Sequence, residues 1–279
     1  MDENLQRLRE QIINLNNSDE FKQLSRYYKK KSFFNILGIS RKEIIHSYFL
    51  HWLLSPDESH DLGDFALRKL LELIVLVKNK LQNQNEQLQF PADIEDTITC
   101  GGYTLDKIEC ERERTDNSER LELFLSFDFH SEQMDKRLNI IIENKVKSRE
   151  GTEQTKRYYD YGESLDGESV YLFLSPLPNS DYESMSEPVC ECKQFIGLNY
   201  QYLVDYVLEP CLSECAMSDA KVFIEEYLRT LSQPSLQIDD FDRGGVIMTV
   251  NSRERDLLLS FWENNKNLSE LSLDTLLNL

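Results

Sequence analysis

The stretch that decides the fold is Leu138-Asn-Ile-Ile-Ile-Glu143-Asn144-Lys145, an apolar run that ends in a glutamate, an asparagine and a lysine. A short run of this kind, rich in β-branched residues, predicts a strand. Successive side chains of a strand point to opposite faces, so Glu143 and Lys145 lie on the same face. We therefore expect the strand to present a carboxylate and an ammonium group side by side at its end.

A second strand candidate, residues 121–129, begins next to Arg120-Leu121-Glu122. Hairpin pairing of the two strands would bring Glu122 near Glu143. Two converging carboxylates repel each other unless a cation lies between them, and a few hard oxygen ligands suit Mg²⁺ or Mn²⁺. Beside such an ion, Lys145 would orient an attacking water and offset charge on a phosphate, as in phosphodiester hydrolysis. The alternative is a solvent-facing Glu–Lys pair, which contributes only about 0.2–1 kcal/mol.

The helix expected over residues 152–165 presents four polar side chains at spacings of three, four and seven residues, so they share one face: Gln154, Arg157, Tyr158 and Tyr161. A glutamine and two tyrosines there are suited to hold water, phosphate or the catalytic lysine. The alternative is that the tyrosines pack on the sheet, and for Tyr161 we favour packing.

Glu43 has two readings. Ser40 and Glu43 have the spacing of a capping box, in which the glutamate bonds back to the start of its own helix. Alternatively, the carboxylate points towards the cation as a third acid. On the same helix, His46 and His51 fall among apolar residues, which is more typical of structural histidines than of ligands.

Periodicity around these motifs predicts a helix, three strands, a helix and a strand. The first helix opens near Ser40, and a continuous apolar run at 170–175 suggests a strand buried on both faces and reached by a crossover. Residues 1–31 are expected to be helical and residues 82–98 to form a polar surface connection. The remaining strand candidates are residues 108–114 and 138–145, and the remaining helix candidates are residues 65–81, 200–208, 219–231 and 254–264.

The composition narrows the class of protein. The chain has 279 residues, with 50 acidic and 31 basic side chains and a net charge of −19. Such a charge argues against a nucleic-acid coat over the whole surface but not against a local site. The first fifty residues carry nine basic and six acidic side chains, including Lys29, Lys30 and Lys31 beside two tyrosines. That run is either a phosphate contact or a solvated helix face.

Localisation and excluded chemistry also follow from the sequence. No apolar run is long enough to span a membrane, and the charged N-terminus does not resemble a secretory signal, so we expect a soluble, cytoplasmic protein. The chain lacks a Gly-rich phosphate loop, a nucleophile elbow and a dinucleotide fingerprint. Nucleotide-driven and acyl-transfer chemistry therefore have no support.

Taken together, these motifs resemble the PD-(D/E)XK nuclease superfamily. The order R-L-E122, I-I-I-E143-N-K145 and then Q154-x-x-R157-Y158 is similar to the bacterial branch that reads E-N-K followed by Q-x-x-R-Y. The resemblance covers roughly residues 33–178. It implies an α/β, restriction-endonuclease-like core, a mixed sheet flanked by helices. We expect a helical extension at 1–32, the nuclease-like core at 33–198 and a mainly helical part at 199–279 that packs on the core.

The resemblance also implies a site. Glu122 and Glu143 would bind Mg²⁺ or Mn²⁺, with Glu43 as a further acidic ligand. Lys145 would assist catalysis and Gln154 would support the site. Together with the basic run near the N-terminus, these motifs give a set of expected nucleic-acid contacts: Lys29, Lys30, Lys31, His60, Arg157 and Tyr158.

The implied function is a metal-dependent endonuclease that cuts DNA in bacterial defence against phage, as a stand-alone protein or an effector domain. The expected partners are DNA and either further copies of the chain or a fused or separate sensor domain, with no membrane. The superfamily usually has Asp where this chain has Glu122. With the acidic net charge, this departure motivates an alternative, a catalytically silent nuclease-like module that binds nucleic acid or a protein.

Overall fold

A mixed β-sheet forms the centre of the protein. The computed structural model describes residues 3–29, 31–81, 90–116, 119–146, 150–176, 190–232 and 252–264. The strands, in their order across the sheet, are β1 (Tyr103–Asp116), β2 (Glu119–Ser131), β3 (Asp135–Asn144), β4 (Glu168–Ser175) and β5 (Ile196–Asn199). The first three form an antiparallel meander, and β4 and β5 run parallel to β3. The predicted α/β class with a mixed sheet is confirmed.

Helices precede, interrupt and follow the sheet. Before it come α1 (Glu3–Asn17), α2 (Asp19–Lys29), α3 (Phe33–Ile36), α4 (Glu43–Leu54), α5 (Phe65–Leu81) and α6 (Ala92–Cys100). The crossover helix α7 (Gln154–Glu163) joins β3 to β4. After β5 come α8 (Tyr200–Leu203), a π-helical turn (Val204–Leu208), α9 (Glu209–Glu214), α10 (Ser218–Ser232) and α11 (Ser252–Asn264).

Two hydrophobic clusters cover the two faces of the sheet. The larger one contains the apolar residues of α4, α5, α8 and α10, and the smaller one contains Tyr158 and Tyr161 of α7. Strand β4 shows why an uninterrupted apolar run was needed: Leu172 belongs to the larger cluster, whereas Tyr171 and Phe173 belong to the smaller one. The prediction of a strand buried on both faces is therefore confirmed.

The register of β2 and β3 brings the two acidic motifs together. Leu123 pairs with Ile142 in antiparallel register. Glu122 and Glu143 are the next residues of the two strands beyond this pair, and the Glu122 carboxylate accepts a hydrogen bond from the backbone N–H of Asn144. The two carboxylates thus belong to neighbouring strands at the same edge of the sheet.

The N-terminal segment is helical as expected and consists of two helices, because the first ends before Ser18, whose backbone N–H donates to Leu15 O and whose hydroxyl accepts from Phe21 N. The structure differs from the expectations at two other places. Within 82–98, helix α6 buries Ile94 and Ile98, although residues 82–89 lie outside the described part. The short strand β5 escaped prediction because its four residues are too few to establish a period.

Helices α8, α9 and α10, which follow the sheet, share its core. Tyr200, Tyr227 and Leu231 are fully buried within the larger cluster. The three predicted C-terminal helical segments match described helices, with a π-helical turn and α9 extending the first. In the described part of the chain, no helix is both long and apolar enough to cross a membrane.

Candidate active site

Glu143 and Lys145 form an ion pair at the end of β3. The backbone N–H of Lys145 still donates to Leu174 O on β4 at 2.9 Å, so the sheet holds this end of the chain. The Glu143 side chain is 0% exposed and that of Lys145 is 11% exposed. Apart from the ion pair, neither carboxylate oxygen of Glu143 accepts a hydrogen bond from the described residues. A buried carboxylate with unused oxygens is rare in a core and typical of a functional site.

Burial and charge together set the ionisation of this pair. Burial raises the pKa of Glu143, and Lys145 opposes that rise. For Lys145, burial works against the positive charge, but the ion pair with Glu143 and the nearby carboxylates outweigh it, so its pKa is raised. Lys145 is therefore a cation at neutral pH, surrounded by acids.

Glu122 is the second acid of the site. Its Oε2 accepts a hydrogen bond from the backbone N–H of Asn144 at 2.8 Å. Burial first, and then the negative charge of Glu143, raise the pKa of Glu122 to about 7. Lys145 and the Asn144 bond reduce this rise, and Glu43 adds to it. Burial, with repulsion from Glu143 as the second cause, therefore favours the protonated form of Glu122 up to near neutrality, and a cation would relieve the repulsion.

Glu43 is the third acid, and the structure excludes one of the two roles that the sequence allows it. Helix α4 begins at Glu43 with Lys42, not Ser40, as its N-cap residue, so the capping box does not form. Instead, Oε1 of Glu43 accepts a hydrogen bond from the backbone N–H of Val146 at 3.0 Å. The first turn of α4 thus directs its carboxylate to the segment that follows β3.

Gln154 and Tyr158 connect α7 to the start of β2. The Nε2 group of Gln154 donates to the Tyr158 hydroxyl at 3.0 Å, and that hydroxyl donates to Arg120 O at 2.5 Å. Gln154 Oε1 also accepts from Gly151 N at 3.1 Å. Since Arg120 lies two residues before Glu122, this chain of bonds holds the strand that carries the second acid.

Comparison with known proteins identifies the family. A family model described as the PD-(D/E)XK nuclease superfamily matches residues 31–229, which is more than half of the chain. The chain belongs to the PD-(D/E)XK nuclease superfamily. The resemblance drawn from the motifs is confirmed, and the mixed sheet flanked by helices is consistent with the restriction-endonuclease-like fold. No curated protein and no solved structure matches the chain.

The acids of this PD-(D/E)XK chain fit a hard divalent cation in chemistry. The ligand groups are carboxylates, and apart from the ion pair with Lys145 neither oxygen of Glu143 has a hydrogen-bond donor in the described part of the chain. Lys145 supplies positive charge at that position through its ion pair. Among the described residues, no three acidic, histidine or cysteine side chains already have the arrangement of a metal site. A bound cation would therefore require the acids to draw together around it.

The nucleic-acid contacts expected for this nuclease are only partly described. Lys31 is exposed, whereas Lys30 and the side chain of Lys29 lie outside the described residues. Arg157 is exposed and donates from Nη1 to Thr152 O at 2.6 Å. Tyr158 is 3% exposed and packs in the smaller cluster, so its placement does not agree with the expected contact. Its hydroxyl is used within the protein because the ring packs between α7 and the sheet.

Three histidines, His46, His51 and His60, form hydrogen bonds within the fold. The expected phosphate contact of His60 is corrected, because the side chain is fully buried, Nδ1 accepts from Leu62 N and Nε2 donates to Ser55 O, both at 3.0 Å. Both ring nitrogens of His60 therefore already form hydrogen bonds within the protein. His46 is buried between Tyr227 and Ser40, and burial lowers its pKa to about 4. His51 hydrogen-bonds the Cys110 carbonyl, so the structural reading of both is confirmed.

Sequence reasoning missed two residues that the structure places next to the acids. Asn144 is 1% exposed and bonds to both the Glu122 and the Glu43 segments. Tyr200 is 0% exposed and donates to Asn144 Oδ1 at 2.7 Å. Asn144 had a visible signal, since it is the middle residue of the E-N-K motif. Tyr200 had none, because it lies 56 residues further along the chain.

Proposed function

We propose that this superfamily member is a Mg²⁺- or Mn²⁺-dependent endonuclease that hydrolyses phosphodiester bonds of DNA. The observation that carries the proposal is the grouping of three carboxylates, Glu43, Glu122 and Glu143, within electrostatic reach of a buried Lys145. A few apolar side chains would stabilise the fold better than these carboxylates do, because burying like charges is unfavourable. The carboxylates are therefore not explained by a structural role.

Each residue has a distinct task in the proposed reaction. Glu122 and Glu143 would hold the cation, with Glu43 as a further ligand. When bound, the ion would polarise the phosphate and stabilise the negative charge of the transition state. The Lys145 ammonium donates hydrogen bonds to the attacking water and to a phosphate oxygen, which offsets growing negative charge there. Gln154 supports the site through Tyr158 and the Arg120 carbonyl.

Substrate binding is proposed for exposed cations away from the acids. Lys31 and Arg157 are exposed and are suited to contact phosphates, and Lys29 and Lys30 belong to the same basic run. A net charge of −19 opposes tight binding of DNA by the whole surface. We therefore include in the proposal a homo-oligomer or a fused or separate sensor domain that holds the DNA.

The biological setting follows from the family resemblance. Members of the branch with E-N-K and Q-x-x-R-Y motifs often act in bacterial defence against phage. We propose the same role here, in the cytoplasm, as a stand-alone protein or as the effector domain of a sensor.

Cleavage of supercoiled plasmid in 5–10 mM Mg²⁺ or about 1 mM Mn²⁺ tests the proposal, with EDTA as the blank. Glu143→Gln and Lys145→Ala should each reduce cleavage by about 10²-fold or more, since each removes a group that stabilises the transition state. Glu225→Gln, on the exposed face of α10, serves as the matched control and should cut like the wild type. A parallel arm with single-stranded RNA decides between the two nucleic acids. Equal cutting by all variants would remove the proposed site.

One observation favours the catalytically silent alternative. In the described residues, the ligands do not yet form a metal site, and Lys145 already neutralises Glu143. Calorimetric titration with Mn²⁺ distinguishes the two functions. Binding that is lost in Glu143→Gln supports the nuclease, whereas a folded protein that binds DNA but no Mn²⁺ supports the silent module.

A further inference from the structure

Asn144 lies at the junction of the elements that carry the acids. Its backbone N–H donates to Glu122 Oε2 on β2 at 2.8 Å. Its side-chain Nδ2 lies 3.4 Å from Glu43 O and 3.5 Å from Ser47 Oγ, both on α4. Its Oδ1 accepts from the Tyr200 hydroxyl at 2.7 Å. One buried residue of β3 therefore contacts β2, α4 and α8.

The chemistry of these partners fixes the orientation of the Asn144 amide. A backbone carbonyl only accepts hydrogen bonds, so the NH₂ group must face Glu43 O. The amide oxygen then faces Tyr200, and the Tyr200 hydroxyl must donate to it. Replacing the Tyr200 hydroxyl by hydrogen would leave this oxygen without its donor in a fully buried place.

Helix α4 is also tied to α10 behind the site. Neutral His46 donates from Nε2 to Ser40 O, because that carbonyl cannot donate, and Nδ1 accepts from the Tyr227 hydroxyl; both distances are 3.0 Å. The Tyr200 ring packs edge-on against His46 at a centroid distance of 5.5 Å. The first turn of α4, which carries Glu43, therefore rests on a rigid buried layer.

We propose that Asn144 and Tyr200 are positioning residues that set Glu43 and Glu122 relative to Glu143, by connecting the end of β3 to α4 and α8. The effect of these two residues on catalysis rests on the proposed function. Their effect on the positions of the acids does not. Asn144, the middle residue of the E-N-K motif, then has a role different from those of Glu143 and Lys145 on either side of it. Partners that orient metal ligands typically change metal affinity or activity by 10–100-fold when removed.

Amide hydrogen exchange measured by NMR, without metal, tests the positioning directly. Two amides report on the acids: Asn144 N–H bonded to Glu122, and Val146 N–H bonded to Glu43. In Tyr200→Phe, both should exchange about fivefold to tenfold faster relative to the core amide of Ile141, because the acceptors are held less firmly. Tyr171→Phe is the matched control. It loses a tyrosine hydroxyl bonded to Tyr159 O and Glu163 on the other face of the sheet, so it should leave both ratios unchanged.

Mn²⁺ affinity measured by calorimetry gives the second readout. Tyr200→Phe should bind Mn²⁺ about tenfold more weakly than the wild type, while Tyr171→Phe should bind equally well. If Tyr200→Phe does not fold, Ser47→Ala removes another partner of Asn144 and should shift both readouts in the same direction. Unchanged exchange ratios in the folded variant would overturn the positioning role. A wild type that binds no Mn²⁺ would instead refute the proposed function, and the exchange ratios would still decide the positioning.

Discussion

Replacing Glu122 by glutamine should stabilise the metal-free protein, and only above about pH 5. The native pKa of Glu122 is about 7, against an ordinary value of 4.5, because the carboxyl is buried beside Glu143. Between these two values the native state binds more protons than the unfolded state, so the free energy of unfolding falls as pH rises. Within this pH range, each pH unit lowers the free energy of unfolding by about 1.4 kcal/mol. The ionised Glu122 therefore destabilises the native state by up to roughly 3 kcal/mol at pH 8.

Glutamine has the shape of the protonated acid and does not ionise. Its amide oxygen can still accept from Asn144 N, and its NH₂ group can donate to Glu143. We expect the stability difference between Glu122→Gln and wild type to be near zero at pH 4.5 and to grow to about 2–3 kcal/mol in favour of the variant at pH 8. The upper value, about 3 kcal/mol, is expected if Glu122 and Glu143 do not move apart when both are ionised.

Urea unfolding followed by circular dichroism, at pH 4.5, 6, 7 and 8 in EDTA and constant salt, measures the difference. Taking variant minus wild type cancels the other titrating groups. Glu225→Gln, an exposed position on α10, should show no pH-dependent difference. A Glu122→Gln difference that stays constant with pH, or a variant less stable than wild type at pH 8, would refute the assignment of a repelled, buried carboxylate.

Three further outcomes are expected. At pH 8, Mn²⁺ at 100 times its dissociation constant should raise the unfolding free energy of wild type by about 2.7 kcal/mol in the same urea assay, and should raise that of Glu143→Gln much less. His60→Ala should lower the melting temperature, because it removes two buried hydrogen bonds worth about 1 kcal/mol each. It should leave the salt dependence of DNA binding, measured by fluorescence titration, unchanged. A smaller salt dependence in this variant would show that His60 contacts phosphate after all. Gly162→Ala should destabilise by about 1–3 kcal/mol in thermal unfolding, because a Cβ at this buried position of α7 would collide with the Tyr171 ring and hydroxyl; a stability equal to wild type would show that α7 can shift.

Local pattern was sufficient for most of the sheet. The apolar runs of β3 and β4 are long enough to establish strands, and the helical spacing of residues 154–161 established α7. By contrast, β5 is four residues long and α6 begins in a polar stretch, so neither had a clear period. Short elements form because the sheet and α5 offer them a surface to pack on, which is information that a local window of sequence does not contain.

The residues of the site also fall into two groups, those whose positions the sequence pattern predicted and those whose positions it did not. Glu143 and Lys145 share a face because a strand has a period of two, and Glu122 lies near Glu143 because β2 and β3 form a hairpin, so both relations could be predicted from the sequence. Tyr158 was assigned to nucleic acid from its helical spacing, and His60 from its place in a loop that resembles the family's. Neither assignment agrees with the structure, because spacing and motif position do not show how deeply a side chain is buried.

The sequence by itself determined the family, the succession of β1, β2, β3, α7 and β4, and the motifs that carry the acids and the lysine, since all of these follow from short-range periodicity and from motifs a few residues long. Tertiary structure alone decided that Glu43 turns from its own helix to Val146, that Tyr200 bonds to Asn144 across 56 residues, and that Glu122 titrates near pH 7. The physical reason is that electrostatic energy depends on distance and on exclusion of water. Both are properties of packing between segments far apart in the chain.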